Sequence, residues 1–181
     1  MDLTLISIVV GLGLTELLLS FHRLVRARRR VTWDALPLAW AALILIAAVN
    51  FWWGIRALMA QASGWLTGTF MLAMISPVFL FLASAAALPK VEAGARLDMK
   101  AAYAEERSAF LLFLLGYQCG NWILDFAVRG GMPEMIVAVS RSVAGLALVV
   151  ALLARSRRWD WVAFTIIATA YATRLVTQLA Q

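Results

Sequence analysis

The sequence has few of the residues from which soluble proteins build rigid sites. Among its 181 residues there is one cysteine, Cys119, and one histidine, His22. A lone cysteine cannot form an internal disulfide and a lone histidine cannot found a histidine cluster, so disulfide scaffolds and structural zinc sites are excluded. Charged residues make up 14% of the chain, against about 25% in soluble domains. That leaves too little polar surface to coat a globule in water.

Catalytic sequence motifs are also missing. The chain contains no HExxH, G-x-S-x-G or P-loop pattern, and its Ser, His and Asp residues show no recognisable catalytic spacing. Membrane enzymes can assemble a site from separate helices, so this absence only places an enzyme third among the functions considered. We expect no cofactor and no metal.

Long apolar runs fill the rest of the chain. Hydrophobic residues account for 64% of the sequence, and several runs exceed the roughly 18 residues needed to cross about 30 Å of hydrocarbon. The prediction is an all-α polytopic membrane protein, a single transmembrane domain over residues 1–181. Its six spans are placed near 3–24, 36–58, 66–88, 108–128, 135–154 and 161–179. Because RARRR rather than a small-residue cleavage site follows the first run, we expect that span to be retained.

The segment 89–107 is predicted to be a cytoplasmic amphipathic linker, either a surface helix or an extension of span four. It divides the spans into three and three, so the second half runs in the opposite sense to the first. Inverted-repeat transporters require that arrangement, but any six-span protein has it. Whether the halves form a true inverted repeat stays open.

Basic residues are distributed unevenly along the chain, whose formal net charge is +6. Twelve of the sixteen Lys and Arg residues form three clusters: Arg23, Arg26, Arg28, Arg29 and Arg30; Lys90, Arg96, Lys100 and Arg107; and Arg155, Arg157 and Arg158. Such clusters stay in the cytoplasm, so both termini are predicted to face outward from the cell's inner (plasma) membrane. The arginines adjoin apolar segments, so the expected partner is the lipid bilayer and not nucleic acid.

The stretch GYQCGNWILDFAVRG, residues 116–130, carries four polar groups inside a predicted span. At about 100° per residue, Gln118, Asn121, Asp125 and Arg129 share a stripe roughly 80° wide, with Gly116 and Gly120 on the opposite face. The glycine face lets another helix approach closely, whereas the polar face must point into the bundle. The alternative is that Asp125 and Arg129 only form an (i, i+4) ion pair at the outer boundary.

Helical rise places further polar residues at a similar depth. Asn50, Asn121, Arg141 and Arg174 each come out on the order of 20 Å above the inner boundary, with Asp125 slightly higher. We expect Asp125 to pair with Arg141 or Arg174 and to leave a surplus positive charge in an outward-facing vestibule. The alternative is that both arginines extend to the outer headgroups.

Glu16 is the deepest acid of the inner half, roughly 10 Å above the inner boundary. It is a candidate for carrying a proton or coordinating an ion, or for pairing with a neighbouring arginine. With Asn50, Gln118, Asn121, Asp125, Arg141 and Arg174 it completes the predicted ligand or ion pathway.

Two functions are weighed from these features. The first is a transporter or channel for a small ion or solute, supported by the polar layer and by the lack of a sizeable extramembrane domain. The second is a non-transporting scaffold or assembly subunit, in which the polar groups only hold helices together. Threonines at four-residue spacing in the last span, 165 to 177, predict a helix contact within the protein or between subunits. We expect a homo-oligomer in either case.

Overall fold

The structure is a computed structural model that describes residues 3–61, 67–91 and 96–179, without the side chains of 59–61, 67 and 174–179. The described chain is almost entirely helical, which confirms the all-α prediction. Its helices are α1 (Thr4–Arg26), α2 (Ala35–Gln61), α3 (Thr67–Ala73), α4 (Ile75–Ala87), α5 (Met99–Arg129), α6 (Met135–Ala154) and α7 (Arg157–Leu179). A short parallel pair of strands, β1 (Val31–Thr32) and β2 (Leu97–Asp98), was not predicted.

Five helical segments of the described chain are long and apolar enough to cross a membrane. They are Thr4–Arg26, Ala35–Leu58, Gly68–Ala87, Met99–Arg129 and Met135–Ala154. Helix α7, which covers the sixth predicted span, is not among them, and its last side chains lie outside the described residues. Six spans therefore remain a prediction.

The third predicted span is interrupted where α3 passes into α4. Pro77 lacks the N–H that would bond the carbonyl of Ala73, and its ring crowds that carbonyl. Accordingly α3 ends at Ala73, Met74 forms a turn, and α4 restarts with Pro77 in its first turn, where a missing donor is tolerated. The proline thus divides this segment into two helices.

Helix α5 extends well beyond the predicted fourth span. Asp98 caps its start by accepting hydrogen bonds from the backbone N–H groups of Lys100, at 2.9 Å, and Ala101, at 3.4 Å. Residues 99–107 of the predicted linker therefore continue directly into the fourth span as one helix. Residues 92–95 of the linker lie outside the described chain. At the other end Gly130, with φ +66°, closes the helix in the left-handed conformation.

Small residues allow α4 to pack closely on α5 and on α1. A Cβ on Gly116 would lie 2.5 Å from the ring of Phe79, and one on Gly120 would lie 2.7 Å from the Ser76 hydroxyl. On the opposite side of α4, a Cβ on Gly13 would lie 3.2 Å from the Phe81 Cα. The glycine face of α5 therefore contacts α4, and its polar face points toward α2 and α6.

The three segments that carry the basic clusters meet at one end of the bundle, which we call the basic end. Val31 pairs with Leu97, which joins the α1–α2 connection to the segment before α5. Arg157 at the start of α7 forms an ion pair with Asp34, which precedes α2 and accepts a hydrogen bond from the Leu36 N–H. Hydrogen bonding from Arg157 holds the pKa of Asp34 below its ordinary value of 3.8.

Candidate functional site

A cavity of about 240 Å³ lies between α2, α5, α6 and α7, toward the end opposite the basic end; we call it the vestibule. Five of the predicted pathway residues line it: Asn50, Gln118, Asn121, Asp125 and Arg141. Arg129, the last residue of α5, lines it as well. The helical stripe read from the sequence therefore faces a single cavity, together with polar residues of α2 and α6.

Asp125 is held between two arginines. Its Oδ2 accepts a hydrogen bond from Arg141 Nη1 across the α5–α6 interface, and its Oδ1 lies 3.5 Å from Arg129 Nε one turn along α5. The Asp125 and Arg141 side chains are only 8% and 15% exposed, whereas Arg129 is 38% exposed. Of the three partners considered for Asp125 from the sequence, Arg129 and Arg141 contact it, and the contact to Arg141 is the buried one.

Uncharged polar groups line the deeper wall of the vestibule. Asn50 donates to the carbonyl of Ile46, which leaves its side-chain oxygen available. The hydroxyls of Tyr171 and Tyr117 lie 3.4 Å apart, joining α7 to α5. With Gln118 and Asn121 these residues offer donors and acceptors without net charge.

Glu134 changes the expected charge of the vestibule. This residue directly precedes α6 and lines the cavity, and its side chain is exposed. The described lining therefore holds two guanidiniums, Arg129 and Arg141, and two carboxylates, Asp125 and Glu134. The expected surplus of positive charge is not found among these described side chains. Sequence reasoning passed over Glu134 because it lies in the connection between two spans.

The vestibule is bounded toward the basic end by apolar packing. A second cavity of only about 20 Å³ continues from Tyr117 and Tyr171 down to Trp40, which is room for about one water molecule. Below it the fully buried rings of Trp40 and Phe110 meet edge to face at 5.4 Å, and Trp40 meets Phe164 at 5.5 Å. We call these three residues the aromatic layer. Among the described residues, it separates the vestibule from the basic end.

A buried ion pair lies on the far side of the aromatic layer. Arg107 of α5 donates from Nε to Asp160 Oδ2 at 2.7 Å and from Nη2 to Oδ1 at 2.6 Å. The same guanidinium donates to the carbonyl of Ala151 near the end of α6. Asp160 is fully buried. One side chain thereby ties α5, α6 and α7 together.

The spacing of residues along α5 carries a signal for this ion pair. Arg107 falls between Tyr103 and Phe110 on a stripe of buried α5 residues. An arginine within an apolar stripe at helical spacing indicates a buried cation, which requires a buried acid as partner. The distribution of basic clusters alone assigns Arg107 only to the charges that set orientation, and so misses its structural role.

Two predicted pathway residues are not placed in the vestibule. Glu16 is half-buried on α1, which packs on α4 and α2, and it does not line the cavity. The side chain of Arg174 lies outside the described residues, although its backbone belongs to α7. Of the two arginines proposed as cross-helix partners, Arg141 pairs with Asp125. The placement of the Arg174 side chain in the pathway stays a prediction.

The vestibule lining presents both charged and neutral hydrogen-bonding side chains to the cavity. In the part of the chain that the structure describes, no three His, Cys, Asp or Glu side chains lie close enough to hold a metal ion. Positively and negatively charged side chains lie at the rim, and neutral hydrogen-bonding groups lie below them. The cavity volume is smaller than the roughly 300 Å³ at which pockets for drug-sized ligands begin.

Comparison with known proteins does not assign this chain to a family. No protein-family model matches the chain, and no curated protein or solved structure does so either.

Proposed function

We propose that this chain is a six-span protein of the cell's inner (plasma) membrane that transports a small ion or solute, with the vestibule facing outward. The observation that carries the proposal is the convergence of Asn50, Asn121, Asp125 and Arg141, from α2, α5 and α6, on one cavity. Intramembrane polar groups are energetically unfavourable, so their gathering around a space supports a binding role for that space.

Support for membrane embedding comes from the outer surface of the bundle. Large apolar side chains are exposed along α1 and α6, among them Leu12 at 55%, Leu146 at 65% and Leu153 at 79%. Such extended apolar faces are unfavourable in water and favourable against acyl chains. The basic end, where three cationic segments meet, then belongs on the cytoplasmic side, and both termini face outward.

A transporter fits the geometry better than an open channel. The aromatic layer and the buried ion pair of Arg107 with Asp160 close the described bundle on the cytoplasmic side of the vestibule. A site open to one side and closed to the other is what alternating access requires of one state. Glu16 has no part in this proposal, because it does not line the vestibule.

The test is uptake into proteoliposomes of three labelled probes: a small neutral amino acid, a short-chain carboxylate and an inorganic cation. A cavity-filling variant, Gln118→Trp, is compared with Leu112→Trp on the lipid-facing side of the same helix, where Leu112 is 54% exposed. We expect uptake of at least one probe with wild type and Leu112→Trp, and loss of that uptake with Gln118→Trp. Background uptake of all three probes by wild type would contradict the proposal.

The alternative function is a non-transporting scaffold or assembly subunit, and one observation favours it. Thr165, Thr169 and Thr173 are exposed on the described bundle, and each hydroxyl donates to the carbonyl four residues earlier. These threonines line an open groove between α6 and α7, where a second subunit could pack in the proposed homo-oligomer. A subunit contact here combined with background flux would support the scaffold.

A further inference from the structure

We infer that the vestibule selects small zwitterions, solutes with an anionic and a cationic group at one end and an uncharged remainder, such as neutral amino acids. This inference rests on the proposed function and names the substrate class of the same site. It follows from the charged groups of the lining: some already form ion pairs within the protein, and the others are left to contact a ligand.

Asp125 and Arg141 are already committed to each other. Both Asp125 oxygens face guanidiniums, and Arg141 Nη1 also lies 3.4 Å from the Asn121 carbonyl. Because the pair is mostly buried, separating it would leave an uncompensated buried charge, which is strongly unfavourable. A ligand therefore gains little by competing for Asp125, and the pair serves to fix the wall of the cavity.

The groups left for a ligand carry one charge of each sign. The ion pair of Arg129 with Asp125 is long, 3.5 Å from Nε to Oδ1, and the Arg129 guanidinium forms no hydrogen bond within the described chain. The Glu134 carboxylate likewise meets no hydrogen-bond or ion-pair partner among the described residues. Both line the vestibule at its exposed rim, Arg129 where α5 ends and Glu134 where α6 is about to begin.

The deeper wall of the vestibule limits the charge and size of the rest of the solute. Below the rim the lining combines neutral polar groups, such as Asn50 and Tyr117, with apolar ones, such as Phe51 and Ile167. An additional charge placed there would meet no free counter-charge among the described residues, which makes its desolvation unfavourable. The volume of about 240 Å³ limits the solute to a small one.

A solute with a single charge would leave either Arg129 or Glu134 without a counter-charge. A carboxylate can accept two parallel hydrogen bonds from a guanidinium, and an ammonium can donate to a carboxylate. A monoanion satisfies Arg129 but approaches Glu134 unfavourably, and a monocation does the reverse. A zwitterion satisfies both groups, so its preference over either single-charge analogue follows from charge complementarity.

The test compares three probes of similar size, L-alanine, propionate and ethylamine, in equilibrium binding to the purified full-length protein. We expect alanine to bind at least about tenfold more tightly than either analogue, as one additional charge-assisted contact implies. Glu134→Gln should remove the preference for alanine over propionate, and Arg129→Gln should remove the preference over ethylamine. Arg158→Gln, an exposed arginine at the basic end, is the matched control and should change neither.

The outcomes separate this inference from the proposed function. Propionate binding as tightly as alanine, or ethylamine binding as tightly, would overturn the zwitterion class while leaving a solute-binding vestibule in place. Retention of both preferences in Glu134→Gln and Arg129→Gln would also overturn it, because the rim would not be the selective element. No binding of any probe, together with background uptake in proteoliposomes, would remove both.

Discussion

The two partners of Asp125 differ in how much of their interaction with it is shielded from solvent. Arg141 is 15% exposed and reaches Asp125 from another helix, whereas Arg129 is 38% exposed and lies one turn away. Removing one partner of a buried pair leaves an uncompensated charge, but an exposed (i, i+4) pair contributes little. The same carboxylate therefore takes part in one strong and one weak interaction.

Replacing each arginine by glutamine tests this difference. We predict that Arg141→Gln lowers the free energy of unfolding by about 3 kcal/mol, and that Arg129→Gln changes it by less than about 1 kcal/mol. Thermal unfolding in detergent gives the comparison under identical conditions. Equal losses in the two variants would mean that Asp125 is not preferentially paired with Arg141.

Asp160 provides a second residue-scale test, at the other side of the aromatic layer. Asp160→Asn keeps the shape but removes the charge facing Arg107, so we predict a loss of about 3 to 5 kcal/mol. Arg158→Gln, two residues away and exposed, should stay within about 0.5 kcal/mol of wild type. The measurement is again thermal unfolding, and an Asp160→Asn protein as stable as Arg158→Gln would contradict the buried ion pair.

Among the elements, α5 shows most clearly how far sequence reasoning extends. Its polar stripe and opposing glycines follow directly from helical spacing, and the structure places the stripe on the vestibule and the glycines on α4. Which groups pair across helices does not follow from spacing, because pairing depends on the packing angles and depths of separate helices. Asp160, the partner of Arg107, was missed for that reason, whereas Glu134 was missed because it lies in the connection between two spans.

The close contact of α4 with α5 can be tested through its glycines. A Cβ on Gly120 would lie 3.0 Å from the backbone nitrogen of Ser76, which cannot move without shifting α4, so we predict that Gly120→Ala destabilises by about 1 to 3 kcal/mol. Gly11→Ala on α1 is the control, because a Cβ at that position would meet nothing within 4 Å. It should be neutral or gain up to about 1 kcal/mol of helix propensity.

The melting temperatures of the two alanine variants decide the point. If the melting temperature of Gly120→Ala equals or exceeds that of Gly11→Ala, then α4 does not closely approach the glycine face of α5.

The contact between the α2 start and α7 should depend on pH. Because the pKa of Asp34 is held below 3.8 by Arg157, the stabilisation is present above that ordinary value and is lost as the pH falls through the lowered pKa. Arg157 is 36% exposed, so the effect is at most about 1 kcal/mol. Asp34→Asn keeps an acceptor for the Leu36 N–H and removes only the charge.

We predict that the difference in melting temperature between wild type and Asp34→Asn is constant from pH 7 down to about pH 5 and shrinks below about pH 4. Melting curves of both proteins across this range provide the measurement. A difference that does not change with pH would assign the effect of the variant to packing instead of charge.

At the scale of the whole molecule, two sets of charged residues in the described bundle lie on opposite sides of the aromatic layer. The vestibule lies on one side, with Asp125 and Arg141 in its wall, and the pair of Arg107 with Asp160 lies on the other. The sequence predicted helices and the outer polar level, since both follow from local patterns. It did not predict the intervening aromatic layer, because Trp40, Phe110 and Phe164 are far apart in the chain and resemble any other apolar core residues.

The central claim is that polar groups from separate helices enclose a water-filled space open to the outside. It is tested most directly by cysteine accessibility in a Cys119→Ser background, with single cysteines at Gln118, in the vestibule, and at Ile123, exposed on the outer surface of the same helix. A membrane-impermeant cationic thiol reagent applied from outside should modify Gln118→Cys at least about tenfold faster than Ile123→Cys, since thiolates form and react in water and not in lipid. Equal, background modification at both positions would contradict the account.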